Sequence, residues 1–175
     1  LGRATPALLL AGAVREAEGV DLVTALLGRE EEMARLAELV RPGRVVTVTG
    51  PGGVGKTRLV SAFSASLPEG GVGPGGVARQ VVTASLAELD RGADAVAVSQ
   101  QLGFRSPEAA GLALGSERTL VVLDNCEHVR AGAAAFVSEL MAESAAIAAV
   151  ATSREPLRVP GEQVMNLPPL AVPAS

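Results

Sequence analysis

Aromatic side chains are nearly missing from this 175-residue chain, which has no tryptophan, no tyrosine and three phenylalanines, Phe63, Phe104 and Phe136. Its core must therefore be aliphatic, and base stacking on aromatic platforms is not an available mode of binding. Cys126 is the one cysteine and His128 the one histidine. A lone cysteine excludes an intrachain disulfide and fits a reducing cytoplasm, where the protein is expected. One Cys and one His do not make a tetrahedral zinc site. The net charge of −4 supplies no electropositive footprint, so no direct nucleic-acid contact is expected. No apolar run approaches the roughly 18–20 residues that span a membrane, and no membrane partner is expected. Lysine is as scarce as cysteine: Lys56 stands alone beside 14 arginines.

What is present is an ordinary globular balance, 48% hydrophobic and 19% charged, in a length that suits one domain with a core of its own. Residues 1–27 are Ala/Leu-rich without a strand pattern and read as a linker or the end of a preceding domain. Met33, Leu36, Ala37 and Val40 then recur at helical spacing and predict a helix over 29–40, with Glu30, Glu31 and Glu32 at its positive end and Pro42-Gly43 stopping it. Strands are expected at 44–49, 77–83, 119–124, 147–152 and, as an edge, 163–167. Helices are expected at 56–67, 92–103 and 129–142, with a weak helical lean at 107–115. Residues 68–76 (PEGGVGPGG) read as a flexible loop. The segments TLVVLD and IAAVAT are apolar on both faces, as strands of a helix-covered parallel sheet must be. Alternating strands and helices predict an α/β fold.

The chemistry sits in Gly50-Pro51-Gly52-Gly53-Val54-Gly55-Lys56-Thr57, a complete G-x-x-x-x-G-K-[ST] phosphate loop, followed by Arg58. Gly52, Gly53 and Gly55 allow backbone N–H groups to approach phosphate oxygens. The helix that follows adds partial positive charge. Lys56 is positioned to reach the β- and γ-phosphates, and the Thr57 hydroxyl to meet Mg²⁺. A strand before and a helix after are what the loop requires. That the single lysine occupies the one position needing a slim ammonium in a tight turn strengthens the reading. Asp124 ends a hydrophobic strand about 70 residues on and resembles the acid that holds Mg²⁺ through its water shell. Asn125 follows where many such ATPases carry a catalytic Glu, which points to slow turnover. Glu127 is the nearest carboxylate, read either as a water-positioning or switch residue or as a solvated loop Glu. Arg154, just beyond a buried strand, reads as a γ-phosphate sensor, the alternative being a surface arginine. His128 and Cys126 read as structural.

With these residues in place, the chain resembles the nucleotide-binding domain of STAND signal-transduction ATPases, relatives of the NB-ARC module. It is most similar to the ATPase modules of large bacterial transcriptional regulators of the LuxR-like and antibiotic-regulatory-protein types. Four segments carry the resemblance: Leu27-Gly28-Arg29-Glu30, the phosphate loop, Leu123-Asp124-Asn125-Cys126-Glu127-His128, and Thr152-Ser153-Arg154-Glu155-Pro156-Leu157. Asn166-Leu167-Pro168-Pro169-Leu170 resembles the segment that closes this domain, so residues 28–175 are taken as a P-loop nucleotide-binding domain. The resemblance implies a three-layer fold with sheet order 5-1-4-3-2, Gly28 and Arg29 on the adenine side, and Arg154 as sensor. It implies ATP/ADP and Mg²⁺ as ligands and slow hydrolysis. It also implies neighbouring winged-helix, sensor-repeat and DNA-binding domains as partners, with nucleotide-dependent self-association. A nucleotide-binding oligomerisation module without turnover is the alternative.

Overall fold

A computed structural model describes residues 28–67 and 78–170. The expected linker at 1–27, the loop at 68–76 and Val77 of the expected second strand lie outside the described residues. Ten elements follow in order: α1 (Glu30–Leu39), β1 (Val45–Thr49), α2 (Lys56–Ser66), β2 (Gln80–Ser85), α3 (Ala95–Gln101), α4 (Pro107–Leu114), β3 (Thr119–Asp124), α5 (Arg130–Glu143), β4 (Ile147–Ser153) and β5 (Glu162–Asn166). The five strands form one sheet in the order β2-β3-β4-β1-β5, all pairs parallel, which is the expected 5-1-4-3-2 read from the other edge.

Alternation along the central strands divides the core into two layers. Val121 and Leu123 of β3, with Ala149 and Ala151 of β4, meet Val98, Ala110, Phe136, Val137 and Leu140 from α3, α4 and α5. Leu120, Val122, Ala148 and Val150 point the other way and meet Leu36, Leu59, Val60 and Phe63 from α1 and α2. The sheet is thus covered on both faces, and the aliphatic core forced by the near-absence of aromatics is what fills it. Because α2 leaves β1 on one face while the helices after β2 and β3 leave on the other, a crevice opens beyond the C-terminal ends of the strands, where ligands bind in such sheets.

Local chemistry sets the boundaries. α3 starts later than expected, at Ala95, because the Asp94 side chain accepts from Ala97 N (2.9 Å) and caps it, while Gly92 before it is left-handed with φ 80°. The weak lean at 107–115 is a full helix, capped by Ser106 accepting from Ala109 N (3.1 Å) with Pro107 in its first turn. β2 runs Gln80–Ser85 rather than 77–83 because its register is fixed by β3, Ser85 pairing with Asp124. β5 begins at Glu162, whose carboxylate accepts from Leu157 N (2.8 Å), Arg158 N (3.2 Å) and Thr47 Oγ1 (2.7 Å). That staple holds the turn between β4 and β5, in which Arg158 is left-handed with φ 65°.

Candidate functional site

β1 carries the chain directly into Gly50, and the loop turns into α2 through Gly55 at φ 103°, a conformation glycine adopts without a Cβ penalty. Lys56 opens α2 and is 7% exposed. Its ammonium donates to the carbonyls of Gly50 (2.7 Å) and Pro51 (3.0 Å), so it spans the loop from inside and offers its charge to the concave side. Thr57, one residue on, donates its hydroxyl to Asp124 Oδ1 (2.8 Å) and lies 3.1 Å from Oδ2.

Asp124 is the hub of the site. Thr152 Oγ1 also donates to its Oδ1 (2.5 Å), and Asn125 Nδ2 donates to Oδ2 (3.1 Å). The Thr152 hydroxyl in turn accepts from Asn125 N (2.9 Å). Asn125 adopts φ 60°, a left-handed conformation tolerated by Asn better than by most residues. Its amide is therefore committed to orienting the carboxylate beside it. Sequence reading assigned Thr152 no role, although a hydroxyl within the otherwise apolar run IAAVAT was a signal: a polar group 1% exposed requires a partner.

Arg154 is exposed beyond β4, and its guanidinium lies over the phosphate loop: a Cβ on Gly52 would come within 2.8 Å of Arg154 Nη2. Arg29 is a buried strut, 5% exposed. It donates to Pro168 O (2.8 Å), Val54 O (3.0 Å) and Glu32 Oε1 (3.0 Å), tying the start of α1 and the exit of β5 to the phosphate loop. Gly28, with φ 84°, borders the same corner, since a Cβ there would stand 3.3 Å from Leu170. Pro51 lines a shallower recess with Gly52, Val54 and Leu170. Gly50 contributes its carbonyl to Lys56 and backs onto Leu167 O.

The loops at the C-terminal edge enclose a cleft of about 790 Å³. Arg29, Lys56, Arg58, Arg91 and Arg154 line it, against one carboxylate, Glu127. In a chain of net charge −4 this concentrates cations at one place, and the cleft is suited to an anion. Arg91 was not found by sequence reading, because nothing in a polar loop marks the exposed arginine that the fold sets at the edge of the cleft. His128 also borders the cleft, but its Nε2 lies 2.8 Å from Leu89 O. A carbonyl only accepts, so that nitrogen carries the proton and the ring is a structural link. Cys126 is fully buried among core residues. Burial, with the charges of Glu127 and Asp124 adding to it, pushes its thiol far above the usual range.

The donor set fits Mg²⁺ accompanying a nucleotide. That ion takes oxygen ligands, usually one or two from protein, with phosphate and water completing the shell. The Thr57 hydroxyl and the Asp124 carboxylate meet within hydrogen-bond distance at the foot of α2. Among the described residues no cluster of three or more His, Cys, Asp or Glu could hold a metal by protein alone.

This sheet order and loop define the P-loop class of α/β nucleotide-binding folds. Residues 25–153 match the family described as AAA ATPase domain, and the chain belongs to that family. It is 37% identical over 134 residues to a provisionally named HTH-type transcriptional regulator of Mycobacterium tuberculosis, covering 77% of this chain and 15% of that protein. It is 30% identical over 159 residues to an uncharacterized protein of Mycobacterium bovis, covering 86% of this chain and 38% of that one. The chain thus spans well under half the length of these curated relatives. A chain in the structure of the E. coli HORMA:CdnC:Trip13 complex aligns over 86% of this chain and 64% of its own, with a TM-score of 0.50 and 17% identity, a likeness of fold. Among the described residues no helix is long and apolar enough to cross a membrane.

Proposed function

We propose that this domain is an ATP/ADP-binding switch of the STAND type, with slow Mg²⁺-dependent hydrolysis, serving a multidomain cytoplasmic transcriptional regulator. The observation that carries it is the Thr57–Asp124–Thr152 cluster beside a lysine-spanned phosphate loop. Lys56 and the loop amides hold the β- and γ-phosphates, with Arg58 at the start of α2 beside them. Thr57 and Asp124 hold Mg²⁺, which when bound offsets negative charge on the phosphates. Arg154, lying over Gly52, meets the terminal phosphate and reports its presence to the loop between β4 and β5. Gly28 and Arg29, at the corner formed with Leu170, flank the base.

Slow turnover follows from how Asn125 is used. Its side chain positions Asp124, so the place of a water-activating carboxylate next to the metal acid is taken by an amide. Glu127, half-buried on the cleft wall, is the remaining carboxylate able to orient a water. The same use of Asn125 keeps a second reading in play, a binding and oligomerisation module without turnover. A neighbouring DNA-binding domain is supported by the HTH-type names of the relatives and further domains by their greater lengths, and winged-helix and sensor-repeat domains are what the STAND reading adds.

Calorimetry tests the binding and single-turnover assays the chemistry. Lys56→Ala should lose ADP and ATP affinity by at least about 100-fold, the consequence of removing a desolvated charge contact of roughly 3 kcal/mol; unchanged affinity refutes the site. Phosphate release abolished by Glu127→Ala supports the switch ATPase, and release from neither wild type nor variant supports the second reading.

A further inference from the structure

Across the C-terminal edge of the sheet, the order β2-β3-β4-β1 sets the loop after β2 beside Asp124, with Arg154 on the other side and the phosphate loop beyond it. The loop after β2, residues 86–94, carries Arg91 into the cleft wall. It is fastened to the β3–α5 connection at several points. Leu86 N donates to Asp124 O (2.8 Å), the His128 ring donates to Leu89 O (2.8 Å), and Gly92 N donates to His128 O (3.2 Å). Gly132 of α5 lies so close to the loop that a Cβ there would fall 2.0 Å from Ala93 O. Asp94 then caps α3. The loop is held on both sides of Arg91, which fixes where this exposed side chain leaves the backbone at the rim of the cleft. Arg91 lines the cleft with no hydrogen-bond or ion-pair partner among the described residues, although Glu127 lines the cleft too. A fixed backbone presenting an unpaired cation to an anion-binding cleft is the arrangement of a ligand contact.

We propose that Arg91 binds the terminal phosphate of the nucleotide and so contributes to telling a triphosphate from a diphosphate, with His128 as its positioning residue. This rests on the nucleotide-site reading above. The choice of phosphate follows from placement. The phosphate loop follows β1, two strands from β3, and a chain of phosphates that starts there and extends toward Asp124 brings its last member to the β2 side of the site. A diphosphate stops short of that side. Arg91 and Arg154 therefore flank the same group from opposite sides of Asp124.

The test titrates the 175-residue domain with Mg²⁺-ATPγS and with Mg²⁺-ADP, in wild type, Arg91→Gln, Arg91→Lys, His128→Ala and Lys56→Ala, with a thermal melt of each. Arg91→Gln should weaken ATPγS about tenfold and leave ADP within about twofold, as expected for losing one charge-assisted contact. Arg91→Lys should recover part of the loss. His128→Ala should move ATPγS in the same direction by a smaller factor. Equal weakening of both nucleotides, or of neither, by Arg91→Gln overturns the proposal. Should Lys56→Ala bind both nucleotides normally, the nucleotide-site reading itself fails, and Arg91 with it. Loss of both with Lys56→Ala alongside unchanged ATPγS binding by Arg91→Gln removes only the role of Arg91.

Discussion

Thr152→Val separates a hydroxyl that organises the site from one that merely fills space. The two side chains have nearly the same shape, so no cavity opens. The valine, however, can neither donate to Asp124 Oδ1 nor accept from Asn125 N, contacts of 2.5 and 2.9 Å in the folded protein. A hydrogen bond to a charged acceptor contributes about 1.5–3 kcal/mol, and leaving a buried N–H without a partner costs about 1–3 kcal/mol. Against this, removing a hydroxyl from a strand 1% exposed at that position relieves about 1 kcal/mol of desolvation. The net loss is about 2–4 kcal/mol. For a domain of this size that lowers the melting temperature by roughly 5–12 °C. Asp124 also loses one of the donors that aim it at Thr57, so Mg²⁺-ADP affinity should fall more than metal-free ADP affinity. Thermal melting and calorimetry with and without Mg²⁺ read both effects. Thr152→Ser, which keeps the hydroxyl, should retain the Mg²⁺ dependence. In an Asp124→Asn background the cost of Thr152→Val should shrink, because the charged acceptor has gone. A Thr152→Val protein that melts within about 2 °C of wild type and binds Mg²⁺-ADP equally would refute the reasoning.

Two further outcomes follow from buried features. Gly132→Ala gains helix propensity of about 1 kcal/mol, but its methyl would collide with backbone at Ala93 O, which cannot yield cheaply. Overpacking of this kind costs about 1–3 kcal/mol or more, so the variant should melt lower; a higher melting temperature contradicts the packing. Cys126 supplies a pH dependence. Its folded thiol holds its proton well above the usual range, while the unfolded thiol loses it above about pH 8.5. The native state then binds more protons than the unfolded one, so this contribution is intact below pH 8.5 and declines above it by about 1.4 kcal/mol per pH unit. Urea midpoints at pH 8 and pH 10 should separate further for wild type than for Cys126→Ala, and parallel shifts would count against the burial argument.

The glycine-rich loop, the strand-end Asp124 and the strands that carry them were legible because each is written locally. G-x-x-x-x-G-K-T, the apolar runs TLVVLD and IAAVATS, and Asp124 at a strand end need no long-range information to be recognised. Helix ends were less legible, since a cap such as Asp94 competes with several equally plausible neighbours until packing selects one. Arg29 shows the limit from another side: its segment was marked by resemblance, but only the fold reveals that the side chain braces three separate segments.

The sequence by itself determined that a glycine-rich, lysine-bearing turn would be built between a buried strand and a helix, because glycine placement, the single lysine and β-branched periodicity act over a few residues. Tertiary structure alone decided what surrounds that turn. Parallel pairing of β3 with β4 joined Thr152 to Asp124 across 28 positions of chain. The contact of Gly132 with Ala93 and the links from His128 set Arg91 on the cleft wall. Such neighbours are fixed by register and close packing between distant segments, and these are properties of the assembled sheet that no local stretch of residues contains.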